Sequence, residues 1–253
     1  MARYRVEEQT ERPKRLSVTT LLFPLLSVLY GEAVFAFFAQ TGFTVYKVLF
    51  ALAAGCIALA LSRLTPFYPL NYFLQSVWLL LCWGIIAGQY LYFRLFGAYF
   101  ELRGEDRTAR FLSALPAAIV QNVPFLLCML VPVILHFTLQ RVMLRERRSL
   151  MGYLLGANWL EPIGALLLAA ILGFVSVVLG LYDTQGEESP CRLLDTHFAA
   201  EPSVEAFGAV PELALDVKYN VLGIAGEEMV RYYVVYDGGE SVALESAPEE
   251  MNS

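Results

Sequence analysis

Long apolar runs dominate the first 182 residues of the chain. A helix needs roughly 20 mostly apolar residues to cross the hydrocarbon core of a bilayer, which is about 30 Å thick, and five runs meet that length. They are Leu16–Ala39, Thr44–Leu64, Gln75–Phe96, Leu115–Gln140 and Trp159–Tyr182. Helices are the expected form, because the runs lack the alternation of barrel strands and lipid cannot pair exposed backbone amides. The pattern predicts an all-α membrane protein, a bundle of about five transmembrane helices over residues 16–182.

The sequence after the last run is polar and acidic. Residues 203–220 predict one or two short amphipathic helices that break near Pro211. Residues 229–244 predict a β-hairpin with an Asp-Gly-Gly turn, and the acidic C-terminal residues are typical of a linker. We expect residues 183–253 to form a short α/β juxtamembrane segment that is too small for an independent core.

Basic residues near the ends of the runs predict the orientation, because short cytoplasmic loops carry an excess of Arg and Lys. Residues 1–15 form a basic tail, and residues 141–148 contain four arginines. Both segments are predicted to be cytoplasmic, so an odd number of spans places residues 183–253 on the outer side of the membrane. The arginines between residues 94 and 110 oppose this orientation, although acidic residues accompany them.

The first apolar run also bears on targeting. It follows basic residues, as in a secretory signal peptide, but it is longer than the apolar region of such peptides. We interpret it as a retained signal anchor. Cleavage after Ala36 is the alternative.

Composition supports the bilayer as the main partner. The chain is 57% hydrophobic and 17% charged with a mean hydropathy of +0.55, whereas about 25% of the residues of a soluble domain are charged. The net charge of -6 argues against a nucleic-acid partner, which would need clustered basic residues. The spacing of the four cysteines indicates neither a disulfide framework nor a zinc site.

Two polar residues inside the apolar runs are candidates for a role beyond packing. Glu32 lies in the first run, where a charged carboxylate costs about 3 kcal/mol, so it is expected to face the bundle or become protonated. It holds either a lipid or another span in register, or it is a neutral packing residue. His136 in the fourth run is a proton relay or, as the interpretation we favour, a hydrogen-bonded core residue.

Two arginines are candidates for lipid contact. The aromatic segment Tyr90–Phe100 ends the third run and is predicted to settle at the headgroup level. Arg94 and Arg103 flank it, and an arginine at that depth can bind a lipid phosphate with two hydrogen bonds. Ordinary snorkelling to the interface is the alternative.

Three short motifs resemble the membrane part of the bacterial lipoteichoic acid synthase family, the sulfatase-like phosphoglycerol transferases. Tyr92-Phe93-Arg94-Leu95-Phe96-Gly97 is similar to the aromatic motif with which the family's third span ends. Tyr30-Gly31-Glu32 is similar to an element of its first span. A third motif follows the fifth span and is matched by Phe207, Gly208, Leu215, Asp216 and Lys218.

The resemblance implies a function in cell-envelope polymer synthesis. Family members carry an extracellular sulfatase-like domain that uses a threonine nucleophile and a divalent metal, usually manganese, to transfer glycerol phosphate from phosphatidylglycerol. We expect no catalytic residue, metal site or cofactor within this chain, since it ends where that domain would begin. The chain is then an anchor and lipid platform, with phosphatidylglycerol and a catalytic domain in cis as partners. The alternative is a non-enzymatic accessory protein or a small transporter; transporters usually show repeats and midplane charges.

Overall fold

A computed structural model describes residues 18–102, 105–143, 159–184, 189–196, 200–222, 234–237 and 240–243. The apolar part contains α1 (Val18–Ala39), α2 (Val45–Leu61), α3 (Tyr68–Phe96), α4 (Glu105–Gln121), α5 (Val123–Met143) and α6 (Leu160–Tyr182). The following segment contains α7 (Pro190–Thr196), α8 (Ala200–Phe207), α9 (Ala209–Asp216), a π-helical turn over Val217–Val221, and strands β1 (Val234–Asp237) and β2 (Glu240–Ala243). Helix α1 packs against α2, α3 and α5, while α6 packs along α2.

Several helices are able to cross a membrane. Within the described residues, α1, α3 and α6 are long and apolar enough, and α4 with α5 adds a fourth if the bent pair is one span. Helix α2 is apolar but has only 17 residues, or about 25 Å at 1.5 Å per residue. The structure confirms a helical protein with three to four such spans, and five crossings stay a prediction.

The outer surface of the helices is apolar. Phe37, Leu127, Ile134, Leu167 and Phe174 are all exposed. Water-soluble monomers rarely expose contiguous apolar patches of such extent. Lipid chains are the environment that suits this surface.

Helices α1 and α2 approach each other closely at Gly55. A Cβ atom on Gly55 would lie 2.6 Å from the Leu25 Cα and 2.8 Å from the carbonyl oxygens of Pro24 and Leu25. Small residues permit such backbone contact, which replaces the hydrophobic driving force that lipid does not supply. The buried Ala51, Ala54 and Ala58 lie along the same side of α2.

The fourth predicted span is not a single kinked helix. The chain bends by 89° at Asn122, so that residues 115–121 belong to α4 and not to the helix that follows. Pro124 has no amide hydrogen and crowds the preceding turn, which favours a break there. The Asn122 side chain donates to the Ala118 carbonyl at 2.8 Å and closes the end of α4.

Pro132 lies inside α5 and deprives the Cys128 carbonyl of its usual amide partner, four residues ahead. The Tyr30 hydroxyl of α1 donates to that carbonyl at 3.1 Å. A neighbouring helix thus satisfies the oxygen that the proline frees, as helices in lipid require.

The aromatic segment at the end of α3 packs partly inside the protein, while its position at the headgroup level stays a prediction. Tyr90, Tyr92 and Tyr99 are buried. The Tyr90 ring stacks on Phe125 with centroids 3.9 Å apart, and Phe93 stacks on Tyr99 at 4.7 Å. Partner rings from α5 and from the following loop supply an apolar environment that composition alone does not reveal.

The segment after α6 is mainly helical. The break in residues 203–220 occurs at Gly208 and not near Pro211, which lies in the first turn of α9 where proline is tolerated. Strands β1 and β2 pair as an antiparallel hairpin, Val234 with Ala243 and Asp237 with Glu240. The predicted α/β character of the whole segment is not supported. The described residues between 189 and 222 form helices that pack on the bundle, and the two four-residue strands belong to the later hairpin alone.

Candidate functional site: the junction of bundle and C-terminal helices

The centre of the junction is Glu32, which lies in α1 and is almost completely buried. Its carboxylate accepts from the backbone amides of Ala209 and Val210 at 3.4 Å each. These distances are long for hydrogen bonds. However, the amides belong to the first turn of α9, where the helix dipole also favours a negative charge. A residue of the first apolar helix therefore caps a helix 177 positions later.

Gly208 allows this approach in two ways. Its φ is +99°, a conformation that residues with a Cβ rarely adopt. A Cβ there would also lie 2.8 Å from Oε2 of Glu32. The glycine thus provides both the turn between α8 and α9 and the space for the carboxylate.

A buried lysine balances part of the negative charge. Lys47 is fully buried at the start of α2. Its ammonium donates to the Gly42 carbonyl at 2.7 Å and to the Thr41 hydroxyl at 3.2 Å. It also interacts electrostatically with Glu32 and Glu205. These hydrogen bonds and the nearby carboxylates compensate for burying the charge of Lys47.

Gln89 of α3 connects the bundle to α9. Its amide nitrogen donates to Glu212 at 2.8 Å and to the Phe100 carbonyl at 3.2 Å, while its oxygen accepts from the Phe100 amide at 2.8 Å. One side chain therefore fixes both the loop after α3 and the side of α9.

Two further carboxylates join this loop to the C-terminal helices. Glu101 accepts from the Ala200 amide at 3.0 Å and so caps α8. Asp216 at the end of α9 accepts from the Leu102 amide at 2.6 Å. The first turns of α8 and α9 therefore contact carboxylates from earlier in the chain, those of Glu101 and Glu32 respectively.

Burial and nearby negative charges raise the pKa of Glu212. Burial is the main cause, the negative charges of Asp216 and Glu101 add to it, and the pKa rises from 4.5 to about 9. Glu212 is therefore protonated in the docked protein at neutral pH. In a detached segment its pKa returns to the ordinary value.

Docking of α9 is expected to weaken as the pH rises from about 4.5 to about 9, the window between the detached and docked pKa values of Glu212. Across this window the docked state binds the extra proton, so raising the pH favours the detached state. Spin labels on the exposed positions Val45 and Glu201 report the separation of α2 and α8. We expect the distance distribution to broaden at high pH.

Glu212→Gln is the control for this pH dependence. The amide keeps an acceptor for Gln89 but has no proton to lose, so the distribution should stay narrow across the window. An equal pH dependence in the two proteins would rule out Glu212 as the titrating group.

Contacts from the start of α2 extend the junction. The Thr44 hydroxyl donates to the Ala206 carbonyl of α8, and the Tyr46 hydroxyl donates to Asp183 at 3.0 Å. Phe207 packs edge-on against Tyr46 and Phe50, with centroids 5.8 and 6.0 Å away. Polar and aromatic contacts therefore hold the same end of α2.

The other candidate residues lie apart from the junction core. Arg94 is exposed in the last turn of α3, and Arg103 lies outside the described residues. His136 is buried in α5, 2.8 Å from the Ser76 hydroxyl, and it stacks on Tyr72 with centroids 5.0 Å apart. The structure brings Glu32, but not Arg94 or His136, into the junction.

Sequence reasoning did not select Lys47, Gln89 or Glu212. Each is a polar residue within or beside an apolar segment, which is the available signal. Their partners lie far along the chain, however, and no local pattern names them.

Neither a metal site within the described residues nor a related protein assigns a function to this junction. In the part of the chain that the structure describes, no three His, Cys, Asp or Glu side chains are grouped to hold a metal ion. Comparisons with family models, with curated proteins and with solved structures found no match to this chain. Function must therefore be argued from the residues and their geometry.

Proposed function

We propose that this chain is the membrane anchor and lipid platform of a lipoteichoic acid synthase-like phosphoglycerol transferase. The supporting observation is that residues of the first and third motifs meet at the junction, which also holds the loop after the aromatic motif. Glu32 of the first motif contacts the backbone beside Gly208 of the third. Asp216, also of the third, binds the loop that follows the aromatic motif. Such a junction would hold a following catalytic domain at a fixed height above the bilayer.

The ends of α2 and α6 support five crossings. Tyr46 near the start of α2 bonds Asp183 after α6, and Arg63 after α2 pairs with Glu161 at the start of α6 at 2.5 Å. The two helices therefore run antiparallel over a common length. We propose that α2 crosses with α6, tilting or thinning the bilayer to match its shorter length.

We expect the N-terminus in the cytoplasm and the C-terminus outside, since the basic residues 1–15 and 141–148 resist translocation. Reporters that fluoresce only in the cytoplasm and others active only outside it, fused at Met1 and Ser253, measure this. Opposite locations of the two ends are expected. A cytoplasmic location of both would require an even number of crossings.

Phosphatidylglycerol is the proposed lipid ligand, with Arg94 and Arg103 as its phosphate contacts. Each basic residue near an anionic surface contributes about 1 kcal/mol, so Arg94→Ala with Arg103→Ala should lower phosphatidylglycerol binding about thirtyfold. Binding of zwitterionic phosphatidylcholine should change little. Native mass spectrometry with both lipids in competition measures the ratio.

Lysine substitutions at the same two positions are the matched control. They keep the charge but lose the two-pronged arginine geometry, and should retain most of the preference for the anionic lipid. Equal loss of both lipids in the alanine variant would leave the arginines as ordinary interfacial anchors.

A further inference from the structure

Helix α4 lies nearly perpendicular to α5, the helix that follows it. It meets α5 at 89°, and α5 exposes apolar side chains such as Leu127, Leu130 and Ile134 along its length. Lipid chains are the partner of such a helix. If α5 crosses the bilayer, α4 must lie close to the membrane plane.

One side of α4 is already occupied by the bundle. Phe111, Leu115 and Ala118 belong to or pack against the main core, and the Phe111 ring lies 5.4 Å from that of Tyr92 near the end of α3. The spacing of four and three residues places them on a single helix face. This contact fixes how α4 is rotated about its own axis.

A second side of α4 is apolar and uncovered. Leu112, Ile119 and Val120 are 63%, 42% and 74% exposed. Their separations of seven and eight residues place them together, beside Pro116. We call the side formed by Leu112, Pro116, Ile119 and Val120 the apolar flank of α4.

The remaining side is mostly polar. Arg110, Ser113 and Gln121 are exposed there, and their separations of three and eight residues place them on one stripe. At about 3.6 residues per turn, the centre of this stripe lies roughly 120° around the helix axis from the centre of the apolar flank, and Ser113 and Val120 lie at the border between the two. We call it the polar flank.

We propose that α4 is an interfacial helix whose apolar flank enters the outer part of the lipid chains while its polar flank faces the headgroups and water. The division into protein, apolar and polar sides is the pattern required of a helix lying in the interface plane. Lipid is favoured as the partner of the apolar flank, because Val120 and Val123 connect this flank to the exposed apolar surface of α5. The inference requires only that α5 crosses the membrane and does not rest on the transferase role.

Depth-dependent quenching tests the proposal on the full-length chain. A fluorophore attached to a cysteine at Leu112 or Ile119 is compared with one at Ser113 or Gln121, in a protein whose four native cysteines are replaced by serine. The vesicles contain phosphatidylcholine brominated either near the headgroup or near the chain end. Aqueous iodide is the second quencher.

We expect the flank positions Leu112 and Ile119 to be quenched by lipid brominated near the headgroup and to resist iodide. Ser113 and Gln121 should show the reverse. Iodide quenching of all four positions would overturn the proposal. Protection of Leu112 and Ile119 from both quenchers would also overturn it, because protein and not lipid would then cover the apolar flank.

A second measurement needs no cysteine replacement. Ile119→Asp places a charge on the apolar flank, whereas Ser113→Asp places the same charge on the polar flank. In phosphatidylcholine nanodiscs, Ile119→Asp should lower the melting temperature clearly more than Ser113→Asp. Equal melting temperatures would contradict the assignment of the two flanks.

Discussion

Glu32→Ala is expected to release α8 and α9 from the bundle. The substitution leaves the amides of Ala209 and Val210 without their acceptor and removes a negative charge near the buried Lys47. Unsatisfied buried donors cost about 1–3 kcal/mol each, so a loss of about 3 kcal/mol would shift the docking equilibrium on the order of a hundredfold. Hydrogen exchange of residues 200–216 should accelerate accordingly.

Two comparison variants make the Glu32 result specific. Glu32→Gln keeps an acceptor but loses the charge, so its effect should be smaller. Glu201→Ala removes an exposed carboxylate on α8 and should leave exchange nearly unchanged, as surface substitutions usually do. Similar acceleration in all three would show that α8 and α9 do not depend on Glu32.

Gly208 offers an independent check through a double-mutant cycle. Gly208→Ala is expected to weaken docking because of its positive φ and the 2.8 Å approach to the Glu32 carboxylate. In the Glu32→Ala background the steric contact is absent, while the backbone strain remains. The combined loss should therefore be smaller than the sum of the two single losses. Simple additivity would argue against direct contact.

Gly55→Ala is expected to disrupt the packing of α1 on α2. The new methyl group would lie 2.6–2.8 Å from backbone atoms of Pro24 and Leu25, which cannot turn aside as a flexible side chain could. Overpacking of this kind costs about 1–3 kcal/mol or more. The melting temperature in detergent should fall on the order of 5–10 °C, taking the scaling of proteins of this size.

Gly84→Ala in α3 is the matched control, because no atom lies within 4 Å of the added Cβ. Replacing a helical glycine by alanine without a clash usually stabilises by about 0.5–1 kcal/mol. The two variants should therefore move the melting temperature in opposite directions. Equal behaviour would mean that the close approach at Gly55 does not hold α1 and α2 together.

Local patterns predicted the helices that can cross a membrane better than they predicted how those helices meet. Hydropathy is a local property, so the runs that became α1, α3 and α6 were visible in the sequence. The right-angle bend at Asn122 was not, although Pro124 indicated a weak point. Whether a helix breaks at a proline depends on whether the carbonyl oxygen that loses its amide partner can accept another hydrogen bond. The Cys128 carbonyl does so from the Tyr30 hydroxyl.

The junction could be predicted only in part. Glu32 was selected because a carboxylate in an apolar run needs a partner, but the sequence does not state that this partner is the start of α9. The aromatic segment from Tyr90 to Phe100 shows a second limit. Its composition predicts a position at the membrane interface, but it does not reveal that Tyr90 stacks on Phe125 and Phe93 on Tyr99. Such ring partners depend on tertiary contacts.

The most direct test of the account is the distance between α2 and α8 in the full chain within a lipid bilayer. Spin labels at Val45 and Glu201, both exposed and outside the junction contacts, report this distance without altering Glu32 or Gly208. We predict a short and narrow distance distribution that broadens when Glu32 is replaced by alanine. A broad distribution in the unsubstituted junction would mean that the C-terminal helices are not docked and would contradict the proposed platform.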